Sequence, residues 1–385
     1  MFLEFLTAHN PALVDYGFYL LRNGLIEPDT YVLDLDRLGE NARRLGETAE
    51  GLGLRCYFMA KQLGHNPLAS RRVLEAGGPS FEGMVAVDFR EARVLHRAGL
   101  PVRHLGHLVQ VPSRRWEEAL DMEPQFITLY SYDKARELSQ AAAGRGRTQG
   151  VLLRMSGPGD LIYPGQEGGF TPEELPKEAE RIAALPGLRI GGLTSFPCFL
   201  FDEEKGKVLP TPNGETLVRS AAALAALGFE GLKLNMPSCN SPGSLPLAAS
   251  LGAAYVEPGH SLSGTSPDNP SQADPLFPAL CYMTEVSHTA GGLSSCFGGG
   301  YYPRSRLQKA LTSGGQWVGA VIPEPGAIDY YLRIPGNFPA GTGVCMAFRT
   351  QIFVTRSRLA VAEGLASSRP RLAGIWDSRG ERISP

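Results

Sequence analysis

The run Arg55-Cys56-Tyr57-Phe58-Met59-Ala60-Lys61 decides how the rest of the chain is read. It is short, apolar and β-prone, and it ends in a lysine. From it outward a rhythm repeats. Further runs of this kind stand at 83–88, 104–109, 126–130, 150–155, 190–195, 231–236 and 253–257. Stretches with helical periodicity lie between them, at 66–76, 90–98, 113–120, 133–143, 172–185, 214–227 and 243–251. Eight strands alternating with helices predict an α/β fold of the (β/α)8 TIM-barrel type. A doubly wound sheet would use fewer strands in succession and a Gly-rich first βα turn, and none is found.

The flanks read differently. The first residues are helical in pattern up to a turn at Glu27-Pro28-Asp29. An extended segment follows at 31–36, then a helix over 36–45 with Leu38, Ala42 and Leu45 on one face and Asp36 as its N-cap. From about residue 275 short extended runs alternate with Gly and Pro turns, and helical periodicity fades. The expected domains are 1–275, a barrel with an N-terminal helical extension, and 276–385, a C-terminal β-rich domain. The extended segment at 31–35 is a candidate to pair with the β-rich domain rather than the barrel.

Composition excludes several classes. The 385 residues are 43% hydrophobic and 20% charged, with a formal net charge of -2. No basic field points to nucleic acid or an anionic membrane as partner. No apolar run is long enough to span a bilayer, and the start, which contains Glu4 and Asp15, does not read as a signal peptide. The expected compartment is the cytoplasm. The six cysteines are scattered without a CxxC pair, so they read as reduced thiols and no metal site is expected.

Reactive side chains of such barrels sit at the C-terminal ends of the strands. Lys61 closes the first strand. Desolvation there lowers an amine's pKa and makes it a nucleophile toward an aldehyde, although a lysine reaching solvent is the simpler reading of its position alone. Glu257 ends the eighth strand, where a buried carboxylate needs a partner: a protonated pyridine nitrogen, or an arginine such as Arg154. The loops after strands seven and eight, 237–244 and 258–265, are rich in small and hydroxyl residues. Ser238, Asn240, Ser241, Gly259 and His260 are their candidate contacts to a phosphate, with a helix N-terminus after the first loop. One phosphate-bearing aldehyde with a ring nitrogen would use all three features, which points to pyridoxal 5'-phosphate (PLP). His107 and Arg154 are candidates for substrate binding, with a structural histidine and a Glu257 ion pair as their alternatives.

At this point the chain resembles the fold type III PLP enzymes. Met59-Ala60-Lys61-Gln62-Leu63-Gly64-His65 resembles the lysine motif of alanine racemases. Val85-Ala86-Val87-Asp88, Glu91-Ala92 and Leu95-His96-Arg97-Ala98-Gly99 resemble the strand and helix that follow it. Glu257-Pro258-Gly259-His260 resembles the carboxylate motif of basic amino-acid decarboxylases. Over nearly its full length the chain is similar to the YhfX-type alanine-racemase-like family. The resemblance implies a PLP barrel plus a β-domain that completes the partner's site in a head-to-tail homodimer.

It also exposes departures. Gly298 stands where racemases carry their catalytic tyrosine, with Tyr301 and Tyr302 as substitutes nearby. The racemase arginine aimed at the substrate carboxylate is missing from 165–170, around Gly168. Ser195 replaces a barrel histidine, and Glu257 stands where racemases place an arginine. The expected activity is therefore PLP-dependent chemistry at the α-carbon of an amino-acid substrate, with Lys61 as Schiff-base lysine. A racemase or epimerase other than standard alanine racemase ranks first, and a decarboxylase or aldolase-type lyase second. The alternatives of another class are a non-catalytic PLP-binding or homeostasis protein, and a barrel that binds some other phosphorylated ligand. Cys345 and Arg349 are further candidates to reach a partner's site.

Overall fold

The computed structural model describes residues 1–384. Two compact units are present, and each draws on separated stretches of chain. One comprises 44–59 and 77–258; the other comprises 1–43, 60–76 and 259–384. This spatial division differs from the linear one at 275/276, because the N-terminal helices and the stretch around Lys61 group with the C-terminal residues.

In the first unit, eight parallel strands close into a barrel among the described residues. They are β1 (Arg55–Met59), β2 (Phe81–Val85), β3 (Val102–Leu105), β4 (Phe126–Leu129), β5 (Gln149–Arg154), β6 (Leu188–Thr194), β7 (Lys233–Asn235) and β8 (Ala253–Val256). Each expected strand is found within a few residues of its sequence position. Past Arg55, β1 is buried throughout, as is β5, which is why both read as near-continuous apolar runs. Helices follow most strands, and the sequence marks their starts. Asp88 Oδ1, for example, accepts the amides of Arg90 and Glu91, each at 2.8 Å, capping Phe89–Arg97. Gly192 on β6 is required by close approach, since a Cβ there would meet the Lys233 carbonyl oxygen at 1.9 Å.

In the second unit, a mixed sheet is built around the strand Thr30–Asp34. This strand pairs antiparallel with Leu280–Ala290 and parallel with Arg358–Glu363. The extended segment thus joins the β-domain, and for a physical reason: all five of its residues are buried, so it needs partners on both edges. Helices Phe2–His9 and Pro11–Arg22 cover the sheet. Their Leu3, Leu6, Leu13, Val14 and Leu20 share a core with Cys281, Met283 and Cys345. One local expectation is corrected. The helix Leu35–Gly51 is capped by Asp34, whose Oδ1 accepts the amides of Asp36 (3.0 Å) and Arg37 (3.1 Å). Asp36 instead accepts the Gly364 amide at 2.7 Å.

Candidate active site

The barrel unit gathers its buried polar groups at the C-terminal ends of its strands. Glu257 follows β8 directly, and its side chain is 1% exposed. Oε1 accepts from His104 Nδ1 on β3 (2.8 Å) and from Asn235 Nδ2 at the end of β7 (2.8 Å). The Glu257 amide donates to Asn240 Oδ1 at 2.9 Å. Oε2 accepts no hydrogen bond, and His107 Nε2 lies 3.3 Å from it. Burial alone would raise this carboxyl's pKa. The His107 charge, the His104 hydrogen bond and the Asn235 amide outweigh burial and hold it at about 2, so Glu257 is ionised. His104 is itself backed by Thr128, whose Oγ1 lies 2.7 Å from Nε2.

His104, His107 and Glu257 bring ligand-type atoms within 4.8 Å of one another. The 2.8 Å separation of Nδ1 and Oε1 is a hydrogen-bond length, and both His104 nitrogens are already engaged.

Arg154, the last residue of β5, is 2% exposed and makes no ion pair to Glu257, so that alternative is corrected. Its guanidinium reaches the carbonyls of His107 (3.4 Å) and Gln166 (3.3 Å) and lies over the Tyr130 ring at 5.0 Å. Its Nε has no hydrogen-bond partner among the described residues. A buried cation without a carboxylate is a ready seat for an anion. His107 is buried too, edge-on to Phe196 and to His104, each at 5.6 Å between ring centres.

The loop after β7 keeps its side chains for itself. Ser238 Oγ donates to the Phe199 carbonyl (2.7 Å), and Asn240 Nδ2 donates to the Met236 carbonyl (3.1 Å). Ser241 is buried, and its amide donates to Ser244 Oγ at 2.9 Å. Ser238 (φ 92) and Cys239 (φ 46) both have positive φ, which costs non-glycine residues energy. The Ser238 hydroxyl and the Asn240 amide are thus already spent on carbonyls, so these two side chains are corrected as phosphate contacts. The following helix, Leu245–Ser250, has only six residues and offers little dipole.

The second unit holds the remaining expected residues. Lys61 is half-buried in a 3-10 turn, Ala60–Leu63, two residues past the end of β1 rather than inside the strand. Its neighbour Gln62 packs on Gly259, where a Cβ would meet Gln62 Oε1 at 2.6 Å. Gln62 Nε2 lies 3.4 Å from His260 Nδ1, and His260 Nε2 lies 2.9 Å from the Thr350 carbonyl and 3.1 Å from Arg349 Nε. Burial, then the charges of Arg349 and Lys61, push the His260 pKa well down, so the ring is neutral. Arg349 is thus engaged with its own chain. Cys345 is buried in the sheet core, where contact with Cys281 and burial push its thiol up, which takes it out of the site.

Tyr301 and Tyr302 are half-buried on a pinned loop. Tyr31 Oη donates to the Gly300 carbonyl (2.5 Å), Asp329 accepts the Tyr301 amide (3.1 Å), and Ser305 Oγ accepts the Tyr302 amide (3.0 Å). Ser195 is structural, donating to the Met155 carbonyl at 3.0 Å.

The reading of strand ends missed His104, Thr128 and Asn235. Asn235 could have been found, since a polar residue closing the apolar run Leu234-Asn235 follows the same rule that singled out Glu257. His104 carries no such signal, because nothing in the sequence says which side chains of β3 point inward.

Comparison with known proteins agrees with this architecture. The profile of the alanine racemase N-terminal domain matches residues 33–267, and that of the YhfX-like C-terminal domain matches 281–372. The chain is 44% identical over 388 residues to the uncharacterized protein YhfX of Escherichia coli K12, covering 100% of each. Among solved structures it resembles D-threonine aldolase from Filomicrobium marinum, with a TM-score of 0.69 at 17% identity, covering 92% of this chain and 95% of that one. It also resembles D-threo-3-hydroxyaspartate dehydratase from Delftia sp. HT23, with a TM-score of 0.66 at 18% identity, covering 94% and 98%.

Proposed function

The chain belongs to the alanine racemase N-terminal-domain family, in the branch with a YhfX-like C-terminal domain, and from that premise we propose that it is a PLP-dependent enzyme acting at the α-carbon of an amino acid. The observation that carries the proposal is Glu257, an ionised, buried carboxylate with one oxygen hydrogen-bonded twice and the other accepting no hydrogen bond, with His107 Nε2 3.3 Å from it. A protonated pyridine nitrogen satisfies that second oxygen. When bound, PLP supplies an electron sink conjugated to the substrate's α-carbon.

The chain's own residues supply the rest. Lys61 would hold the cofactor at its aldehyde carbon and, once displaced by substrate, carry the proton at the α-carbon. Lys61 lies two residues past Met59, whose amide donates to the Pro258 carbonyl at 3.0 Å within the barrel unit. Arg154 would take the substrate carboxylate, and the backbone of 238–241 would take the cofactor phosphate. We take the assembly to be a cytoplasmic, head-to-tail homodimer. No helix of the described residues is long and apolar enough to cross a membrane, and the β-domain unit exposes Ile322, Ile328 and Tyr330.

Among reactions at the α-carbon, the geometry favours a lyase. Two-base racemisation needs a proton donor on each face, and position 298 has no room for one, because a Cβ there would meet the Asp329 carbonyl oxygen at 2.3 Å. Cleavage or elimination at the side chain would need no donor on the opposite face: Lys61 would take one proton, from the β-hydroxyl in cleavage or from the α-carbon in elimination, and return it to the α-carbon or to the departing hydroxyl, with the sink that Glu257 sustains. Racemisation is the second reading, favoured by Tyr301 and Tyr302, whose hydroxyls bond no described residue. The deciding experiment incubates the PLP-loaded protein in deuterium oxide with a panel of L- and D-amino acids. Aldehyde or keto-acid release supports the lyase. Deuterium wash-in with loss of chirality and no release assigns racemisation instead.

A further inference from the structure

The groups behind Glu257 form an ordered chain of donors. The Glu257 carboxylate can only accept, so His104 must present Nδ1–H to Oε1, 2.8 Å away. His104 Nε2 then accepts the Thr128 hydroxyl at 2.7 Å. The Asn235 amide is oriented by the same logic, with Nδ2 on Oε1 and on Thr194 Oγ1 (3.0 Å), because its oxygen would repel the carboxylate. Both hydrogen-bond donors converge on Oε1, while Oε2 accepts no hydrogen bond and faces only the ion-pair contact of His107 Nε2 at 3.3 Å. All of these side chains are fully buried, so water does not compete with them.

Resting on the PLP reading above, we propose that His104, with Thr128 behind it, is a positioning residue that fixes Glu257 as a charged acceptor whose Oε2 is reserved for the protonated ring nitrogen of the cofactor. Without the His104 donor, Oε1 keeps one hydrogen bond from Asn235. The carboxylate is then held by Asn235 and by the His107 contact alone, and its negative charge is less well compensated in a buried site. The ring nitrogen would lose its proton while Lys61 still holds the aldehyde carbon.

The test uses the full chain reconstituted with PLP labelled with 15N in the ring, and compares wild type with His104→Phe, His104→Asn, Thr128→Val and Glu257→Gln. Three readouts are taken: the visible cofactor band, the 15N shift of the ring nitrogen, and the Kd for PLP. Wild type and His104→Asn, which keeps an N–H donor, are expected to show a protonated nitrogen. His104→Phe and Glu257→Gln are expected to keep the visible band, lose the ring proton, and bind PLP about tenfold more weakly. Thr128→Val changes one buried hydroxyl for a methyl, serves as the milder variant should His104→Phe fail to fold, and is expected to shift the nitrogen in the same direction.

Two results overturn the inference alone. One is an unchanged ring-nitrogen shift in His104→Phe or, if that variant does not fold, in Thr128→Val. The other is stoichiometric zinc binding by wild type that His104→Phe and Glu257→Gln abolish, which would make the cluster a metal site. A wild type that takes up no PLP at all overturns the functional reading and this inference together.

Discussion

Gly298 lies against Asp329 through the backbone, its Cα so close to the Asp329 carbonyl that no side chain fits between them. Its amide also donates to the carbonyl of Tyr330, the next residue, at 2.8 Å. Restoring a racemase-like tyrosine by Gly298→Tyr is therefore expected to break this contact instead of creating racemase activity. Overpacking of this kind costs about 1–3 kcal/mol or more. A lowered Tm without a gain in racemisation is the expected result, and a stable, racemising variant would contradict it.

Lys61→Ala is expected to abolish the visible band of the PLP-loaded protein while leaving its circular dichroism unchanged. The side chain is half-buried on a short 3-10 turn, so its loss leaves no large cavity. Absorbance and circular dichroism on the same sample decide the matter, and a band retained in the variant would place the covalent link elsewhere.

Arg154→Met should raise KM far more than it lowers kcat. The substitution removes a buried cation that forms no ion pair with a carboxylate among the described residues. A charged hydrogen-bonded contact of this kind is worth about 1.5–3 kcal/mol, or on the order of tenfold to a hundredfold in KM. Steady-state kinetics with an amino acid and its decarboxylated amine checks the assignment: the variant should lose its preference for the carboxylate-bearing compound.

Asp29 gives the fold a pH dependence of its own. Burial raises its pKa from 3.8 to about 6, against the opposing hydrogen bonds from Ser357 and Tyr282 and the Arg356 charge, with Asp329 adding to the rise. A carboxyl whose folded pKa is raised contributes stability fully below its unfolded pKa near 4 and loses that contribution as pH climbs through 6. Asp29 is partly exposed, so the effect is about 1–2 kcal/mol after screening. Asp29→Asn keeps the acceptor for Tyr282 and Ser357 and should flatten the Tm profile between pH 4 and 7, raising Tm at the upper end. An unchanged profile would remove Asp29 from the account.

Deleting residues 1–22 should cost the β-domain its solubility. Phe2, Leu3, Leu6, Leu13, Val14, Tyr16 and Leu20 are all buried in the core that includes Met283 and Cys345. At about 1.5–3 kcal/mol per buried side chain, the seven together are worth about 10–20 kcal/mol as an upper estimate. A soluble, cooperatively melting truncation would show that the helices are dispensable.

The barrel was legible because its strands are buried on both faces and its helices are amphipathic, so the two periods alternate cleanly along the chain. Residues 1–22 were legible as helical, but their placement was not, since an apolar face does not name what it will cover. Glu257 was found because it stands alone at a strand end before Pro258-Gly259. His104 was not, because its role depends on which β3 side chains point inward. The loop hydroxyls were over-read: Ser238 and Asn240 look like ligand donors in sequence, yet each is spent on a carbonyl of its own unit. The reaction type was not legible: the motifs that carry the resemblance are shared by racemases and lyases, and the backbone contact at Gly298 bears only on whether a side chain fits at that one position.

The strand Thr30–Asp34 has a consequence for how the protein is made. It emerges from the ribosome early, yet its edges are covered by strands that begin at Leu280 and Arg358. Throughout synthesis of the barrel, a strand destined for full burial, with both edges open, and two helices with apolar faces must wait without their partners. Long-range pairing of this kind is slow and exposed to misassociation. Circularly permuted versions that bring residues 1–34 next to the C-terminus should therefore fold faster than the native order.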